Sequence, residues 1–451
     1  MDGTVDVLTD RGWKPLEDVT RRDRVATMDG PDGVLYYDTP LDTPVHDYEG
    51  EIVRHKSRML AFEVTPNHKF LYEKRQCNKL ASGLRTVWQW QTRPVSEIPR
   101  QTCRIPRLLR NENPDVATFE ASGGTLYGTD QPPARYRMDD WLEFLGWYLS
   151  EGHIGRTPDG RARNVVISQS PTMNAGNYAQ IVSVLRRLGL SCSEGKKGLT
   201  VCSTVFAGRL EALCPGVSGT KRVPGFLFSL SPRQIRIFLD AYRLGDGTGD
   251  RVWYTSSPGM ADDLQRLILL AGGCATIQKH ERKGTVPEGL DRPSVRKYDY
   301  YRIREFDQRG ARAVPVRHDR MERVPYRGKV RCLTMASGLF YVRDRQTRQP
   351  FWTHNSDNLM FVIDEASGVP DIVFQVGEGS LSTPGAKVLM TGNPTRVTGY
   401  FWDAFNPRPG QRQRWKTMTV SSYDSTRVSR EWLEDMKAKY GEHSPIYRIR
   451  V

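Results

Sequence analysis

The chain has 451 residues and a formal charge of +14, from 66 Lys and Arg against 52 Asp and Glu. That length allows roughly two to four domains with sizeable cores, and the positive excess suits either a polyanion such as nucleic acid or a solubilising surface. Seven scattered cysteines (77, 103, 192, 202, 214, 274 and 332), never spaced C-x-x-C, argue against a disulfide framework or a zinc site and fit a reducing cytoplasm; no apolar run nears the roughly eighteen residues of a membrane span, and "MDGTVDVLTDRGW" lacks signal-peptide character, so a soluble protein without a membrane partner is expected.

Residues 1 to about 75 read as short strands broken by Gly, Pro and Asp turns ("TVDVLT", "RVATMD", "GVLYYD", "EIVRHKS", "MLAFEVT", "FLYEK"), the texture of a compact antiparallel all-β unit. A turn-rich stretch follows, and residues 116–136 read as a linker. From Met138 the texture changes: "MDDWLEFLGWYLSEGHIG" and "SPRQIRIFLDAYRLGDGTGD" carry apolar residues at helical spacing and both end at Gly after an acid, which predicts a pseudo-symmetric α/β domain over 137–310. Strand texture returns in "GKVRCLTMASGLFYVRD", so 1–115 and 311–355 are expected to form one β domain. Beyond 356, "NLMFVIDEAS" and "AKVLMTGNPT" are near-continuous apolar runs, the pattern of parallel strands buried on both faces.

The junction "FWTHNS" carries a specific chemistry. The side-chain amide of Asn355 can attack its own backbone carbonyl, forming a succinimide and cutting the chain before Ser356. His354 can polarise that carbonyl or protonate the leaving group, and the Ser356 hydroxyl can accept an acyl group. In "FEVTPNHKFLY", Thr65 and His68 lie three apart after a strand, placed to hold and protonate a peptide bond. Either motif alone is more often an ordinary turn; the pair is more informative.

Taken in order and spacing, "MDGTVDVLTDRGWKPLEDV", "LAFEVTPNHKFLY", "GKVRCLTMASGLFYV" and "FWTHNS" resemble the motifs of an intein, a self-splicing insert. The resemblance implies an all-β, horseshoe-like Hint splicing domain in two parts. It departs from the common pattern at Met1, which offers no nucleophile, and at Cys332, where most inteins have Asp. Both departures are similar to a minority class in which an internal Cys attacks the upstream junction and a Thr, here Thr353, precedes the penultimate His; Phe70 stands where that class commonly has Trp. In that reading Cys332 takes the upstream acyl group as a thioester and passes it to Ser356 before Asn355 cyclises. With Met1 first, the upstream N-extein is expected to be missing from this chain, leaving the C-terminal cut as the observable step.

In the helical segment, small Gly146 and Ala241 let two helices pack closely and bring Glu151 and Asp246, at their ends, side by side, where adjacent carboxylates call for a divalent cation. "FLGWYLSEGHIG" and "FLDAYRLGDGTG" resemble the paired helices of LAGLIDADG (DOD-type) homing endonucleases. The resemblance implies Mg²⁺ on Glu151 and Asp246, double-stranded DNA as substrate, and, through "GTKRVPGFLF", Lys221 as a charge stabiliser near the scissile phosphate. Basic segments such as "RTPDGRARN" and "KHERKG" suit DNA phosphates.

Finally, Asp364 and Glu365 end an apolar strand as in an ATPase, where they hold Mg²⁺ and orient water, and Thr391-Gly392-Asn393-Pro394 follows the next strand where Asn393 can sense a γ-phosphate. With "SPIYRIRV" these resemble the large terminase subunit of tailed phages, a DNA-packaging motor. No G-x-x-x-x-G-K-[ST] loop appears, so 356–451 is expected to be a partial α/β ATPase domain, with ATP and Mg²⁺ belonging to the intact host protein in a bacterial or phage setting. Two other readings stay open: a terminase fragment with an inert insert, and a DNA-binding module that does not cut.

Overall fold

The computed structural model describes the chain except residues 2, 31, 58, 81–82, 100–102, 127–128, 196–197, 250, 287–294, 308–311, 356–359, 375–386 and 408–414. The first stretch holds β1 (Val5–Thr9), β2 (Gly12–Pro15), β3 (Val25–Thr27), β4 (Tyr36–Asp38), β5 (Val45–Lys56), β6 (Ala61–Val64), β7 (Lys69–Leu80), β8 (Gly83–Pro94) and β9 (Cys103–Pro106). Four short strands follow: β10 (Thr118–Ala121), β11 (Gly124–Leu126), β12 (Thr129–Gln131) and β13 (Ala134–Arg137). Helix α1 (Met138–Glu151) leads into β14 (Gly152–Arg156), β15 (Ala162–Ile167), α2 (Ala175–Arg187), β16 (Ser193–Gly195), β17 (Gly198–Val201) and α3 (Thr204–Leu213). Helix α4 (Pro232–Asp246) leads into β18 (Gly247–Thr248), β19 (Val252–Thr255), α5 (Pro258–Leu270), β20 (Ala275–His280) and β21 (Tyr300–Glu305). β22 (Ala313–Pro315), β23 (Met321–Arg331), β24 (Leu339–Asp344) and β25 (Pro350–His354) complete a compact unit, Met1–Ser356; β26 (Met360–Ile363) and β27 (Lys387–Met390) belong to a second, Asp357–Val451.

The first and last parts of the first unit form one β scaffold. Its main sheet runs β25-β24-β1-β3-β4, so residues more than 300 apart are neighbours: Val7 pairs with Val342, whose other neighbour is the nearby Phe351. Strands β1 and β24 are buried along their whole length, which requires covering on both faces, and the charges they bury are paired, Arg343 with Asp6. Pleating divides their side chains. Phe340, Val342 and Phe351 enter one core with Val5, Phe62, Phe70 and Cys332, while Leu339, Tyr341 and Trp352 enter another with Leu8 and Ala26. The long ribbon of β5 and β23, paired from Val45↔Arg331 to His55↔Met321, brings Cys332 beside the Pro44 carbonyl.

Residues 116–136, expected as a linker, are instead built structure. Strand β10 pairs with β13, and β11 with β12. The turn residues close hairpins here, and the ribbon is anchored by Phe119 and Tyr136, whose rings stack on Trp141 with centroids 4.7 and 5.0 Å away.

In the α/β body, each of α1 and α4 is followed by a four-stranded sheet of the same internal order, β14-β15-β17-β16 and β18-β19-β21-β20. The two helices pack against each other. At their crossing, a Cβ on Gly146 would lie 2.6 Å from the Ala241 Cβ and 2.7 Å from the Phe238 carbonyl oxygen; only glycine permits this approach. Leu142, Phe144, Leu145 and Trp147 of α1 and Ile235, Phe238 and Leu239 of α4 are buried around it, each large apolar side chain contributing about 1.5–3 kcal/mol of transfer free energy.

Helix α5 joins this body to the β scaffold. Leu269, at its end, and Cys274 share a core with Leu339, Tyr341 and Trp352. Above it Arg343, 1% exposed, donates to Asp6 (3.1 Å), Asp262 (2.6 Å) and Gln265 (2.8 Å) and lies 4.4 Å over the Trp13 ring. A buried guanidinium needs that many partners, since desolvation alone penalises its charge.

In the second unit, β26 and β27 pair in parallel, Val362 opposite Leu389, as their apolar runs predict, but Val362 is 59% and Leu389 44% exposed, so the expected burial on both faces is not met at this pair among the described residues. Among the described residues no helix is long and apolar enough to cross a membrane.

Gly146→Ala is expected to lower the unfolding free energy by about 1–3 kcal/mol through overpacking at the crossing, outweighing the helix propensity of roughly 1 kcal/mol that alanine gains over glycine. Chemical denaturation of both proteins checks this, and an equal or more stable variant contradicts the close packing.

Candidate functional site

Pleating sets the first cluster. Along β25, Phe351 faces the core that holds Phe70 and Trp352 faces the other, so Thr353 must face the Phe70 side again. There its hydroxyl shares a hydrogen bond of 2.8 Å with Nε2 of His68, a residue 285 positions away. His68 is fixed by a turn in which its backbone N–H donates to the Thr65 carbonyl at 2.9 Å. The Phe70 ring, fully buried, meets the imidazole edge-on at 5.2 Å and packs on Phe62 and Phe351. The aromatic wall is therefore supplied by phenylalanine.

Burial pushes His68 well below the usual histidine range, and the nearby charges of the Met1 amine and of His354 push it further. His68 is neutral at physiological pH. Met1 itself is buried: its amine donates to the Arg331 carbonyl at 3.0 Å and its carbonyl accepts from the Arg331 N–H at 2.8 Å. Cys332, the next residue, is buried in the same core as Met1 and Phe70. Thr65, His68, Cys332, Thr353, His354 and Asn355 thus gather at one end of the β scaffold, close to Met1.

The chain leaves β25 at His354, opposite Leu339. Nδ1 of His354 lies 2.9 Å from the carbonyl oxygen of Asn355, the bond a self-cut would break next to. The Asn355 N–H donates to the Gly338 carbonyl at 2.8 Å, and its Nδ2 points to the Met335 carbonyl at 3.5 Å. Its Oδ1 is buried without a hydrogen-bond partner among the described residues. Ser356 lies outside the described residues. The turn 335–338 is the site element that sequence reasoning misses, although Ser-Gly before an apolar strand is a turn signal.

The second cluster lies at the paired helix ends. Glu151 and Asp246 are the last residues of α1 and α4. Burial raises Glu151 to about 7, with the charge of Asp246 adding to it, and burial raises Asp246 to about 6. Burial also lowers Lys221 to about 8, against the pull of both carboxylates. Its amine donates to the carbonyls of Tyr148 (3.1 Å), Leu149 (3.3 Å) and Gly152 (2.6 Å). Lys221 therefore caps the carbonyl end of α1, where helix polarity favours a cation. Two half-buried carboxylates with Lys221 as the cation acting on both fit a divalent cation, although among the described residues no group of three metal-ligating side chains occurs.

In the second unit, Asp364 and Glu365 follow β26 at its exposed end. The Asp364 carboxylate accepts from the Thr391 hydroxyl at 2.6 Å and from the Glu365 N–H at 3.0 Å, and the Thr391 hydrogen bond holds it below the usual range. Glu365 takes a left-handed backbone at φ 53, a conformation costing roughly 1–2 kcal/mol. Asn393 is exposed in the loop after β27, its carbonyl accepting from the Thr395 N–H at 2.8 Å.

No family model matches the chain. It is similar to the "ATP-dependent Clp protease proteolytic subunit" of Chlamydomonas moewusii, 28% identical over 289 residues, covering 60% of this chain and 28% of that protein. It is similar to the "DNA-directed RNA polymerase subunit beta C-terminal section" of Stigeoclonium helveticum, 24% identical over 405 residues, covering 78% of this chain and 36% of that one. With the "Probable terminase, large subunit" of Enterobacteria phage P7 it shares 35% identity over 102 residues, 22% of this chain and 21% of that protein. The chain thus spans about a third or less of each of these curated relatives. One solved structure, a splice-inactive variant of the AceL NrdHF class 3 split intein, aligns over 45% of this chain and 97% of its own at 13% identity and a TM-score of 0.18, a likeness that carries no argument.

The raised carboxylates make stability fall with pH. Unfolded, Asp246 and Glu151 ionise near their ordinary 3.8 and 4.5; folded, near 6 and 7. Between those limits the folded chain binds more protons, so stability is greatest below the lower values and declines as pH rises through the upper ones. Glu151→Gln is expected to gain melting temperature relative to wild type between pH 4.5 and 7.5. Mg²⁺ added at pH 7.5 is expected to raise the melting temperature of wild type and not of Glu151→Gln/Asp246→Asn. Melting curves parallel at both pH values refute the raised pair.

Proposed function

We propose that residues 1–355 are an intein that cuts its own chain between Asn355 and Ser356, that its inner α/β body is a LAGLIDADG-type endonuclease, and that residues 356–451 belong to a phage terminase large subunit. The observation that carries the first part is the convergence at the end of β25: a neutral His68 on the Thr353 hydroxyl at 2.8 Å, and His354 at 2.9 Å from the Asn355 carbonyl oxygen. In the cut, Nδ2 of Asn355 bonds to its own carbonyl carbon and the bond to the Ser356 nitrogen breaks. The departing amine takes up one proton as Nδ2 gives one up. An N–H of His354 on the carbonyl oxygen stabilises the charge that develops there.

Upstream, the thiol of Cys332 would attack the carbonyl joined to the Met1 nitrogen, breaking that amide and giving its proton to the departing Met1 amine; the Ser356 hydroxyl would then take the acyl group from sulfur and return a proton to the thiol. The place of Cys332 in one core with Met1 supports this, because the backbone amine of Met1 is bonded to Arg331, the residue before Cys332. His68, Thr65 and Thr353 would hold the bond under attack.

The relatives support an insert. Their printed names share no common chemistry, and the chain covers only 21–36% of the three curated relatives, as a segment lodged in different hosts would. The similarity to the terminase is 102 residues long, close to the extent of Asp357–Val451.

For the α/β body, Glu151 and Asp246 would hold Mg²⁺, which when bound activates water and stabilises the leaving oxygen of a phosphodiester. Lys221 keeps the end of α1 charge-balanced. The chain's net +14 supports double-stranded DNA as partner. In the intact host, Asp364 and Glu365 would serve Mg²⁺ and ATP, with Asn393 facing the nucleotide.

On expression, a fragment of the size of residues 1–355 is expected on a denaturing gel, lost in Asn355→Ala and kept in Cys332→Ala, which removes only the upstream step. Plasmid carrying the uninterrupted host gene is expected to be cut with Mg²⁺ and spared by Glu151→Gln. A chain that stays whole through long incubation sinks the self-cleaving assignment; uncut plasmid sinks the endonuclease.

A further inference from the structure

We infer that the turn Met335–Gly338 orients Asn355 for attack on its own carbonyl, and that Gly338 is a positioning residue for the cut. This rests on the self-cleaving assignment and adds a residue to it. Two atoms of Asn355 are tethered to this one turn: its N–H to the Gly338 carbonyl at 2.8 Å and Nδ2 to the Met335 carbonyl at 3.5 Å. The turn is rigid. Its own Gly338 N–H donates to Met335 at 3.1 Å, and Thr27 braces it from β3 by hydrogen bonds to the Ser337 hydroxyl (2.5 Å) and the Leu339 carbonyl (2.7 Å).

Gly338 adopts φ +81, and a Cβ there would lie 3.0 Å from Nε2 of His354 and 3.2 Å from Oδ1 of Asn355. A side chain would press on both groups that the cut requires. The bare glycine leaves Oδ1 of Asn355, buried and without a partner among the described residues, free of any bond that would hold the amide away from the carbonyl. Among the described residues the amide is thus held through its nitrogen and not through its oxygen, so its plane can turn toward the carbonyl carbon.

Orientation also selects between two ring closures. If Nδ2 attacks the Asn355 backbone carbonyl carbon, the bond to Ser356 breaks and the chain is cut. If the backbone nitrogen of Ser356 attacks Cγ of Asn355, ammonia leaves, and water opening the ring gives an intact chain about one dalton heavier. A turn that holds Nδ2 in place favours the first.

The test uses the full chain. Gly338→Ala is expected to cut roughly ten- to a hundredfold more slowly than wild type, the scale of an ångström's misplacement of a reacting group, with the intact-mass product at Asn355 rising relative to the cut. Gly12→Ala is the control, because Gly12 is also left-handed, at φ +110, with nothing within 4 Å of its Cβ; it shares the backbone strain without the contacts and is expected to cut within about twofold of wild type. Equal rates for wild type and Gly338→Ala, or equal slowing by Gly12→Ala, overturn the role of Gly338 while leaving self-cleavage standing. A wild-type chain that never cuts overturns both.

Discussion

The antiparallel pairing of β25 with β24 is the constraint on which the rest depends. Its register sets Leu339 opposite His354 and Phe340 opposite Thr353, and pleating then gives each side chain its side of the sheet. One residue of slip would send Thr353 away from His68 and turn Trp352 into the core that Phe351 fills. That slip is opposed by both cores at once: Phe351 is locked among Phe62 and Phe70, Trp352 against Tyr341. Apolar packing of Phe351 and Trp352 thus fixes where Thr353, His354 and Asn355 lie.

Charge is handled differently in the two clusters. Around His68 the scaffold removes water, and the charges that act on the ring are those of the Met1 amine and His354, so the imidazole stays neutral and shares a hydrogen bond with the Thr353 hydroxyl. At the helix ends the body buries two carboxylates and one amine together, and each is shifted toward its neutral form. Burial is the largest cause for all three groups, and the charge of Asp246 adds to it at Glu151.

The two halves of the first unit are joined through Arg343 and the core around Leu269 and Cys274. Arg343 lies on β24, the strand that positions β25, and bonds to Asp262 and Gln265 of α5. The scaffold that carries the junction and the body that carries the carboxylates therefore share a buried ionic contact. Removing Asp262 would leave a charge in the interior with Asp6 as its main remaining acid.

Much is legible in the residues themselves. The spacing of Thr65 and His68, the His354-Asn355 pair, the two helices ending at Glu151 and Asp246, and the small Gly146 and Ala241 are local patterns, and local patterns report local geometry. The strand character of 116–136 is hidden because its turn residues and its alternation point to different structures until Trp141 supplies a surface. Lys221, expected near a phosphate, lies on the carbonyls of α1, since a buried amine is drawn to whichever acceptors the fold places within reach. The partnership of His68 with Thr353, the burial of Met1 against Arg331 and the fit of Gly338 against Asn355 link segments hundreds of residues or a whole turn apart. The sequence by itself determined which groups were present and which element carried each; tertiary structure alone decided which of them meet, because only the register of a sheet closed across the whole chain converts separations along the backbone into distances in space.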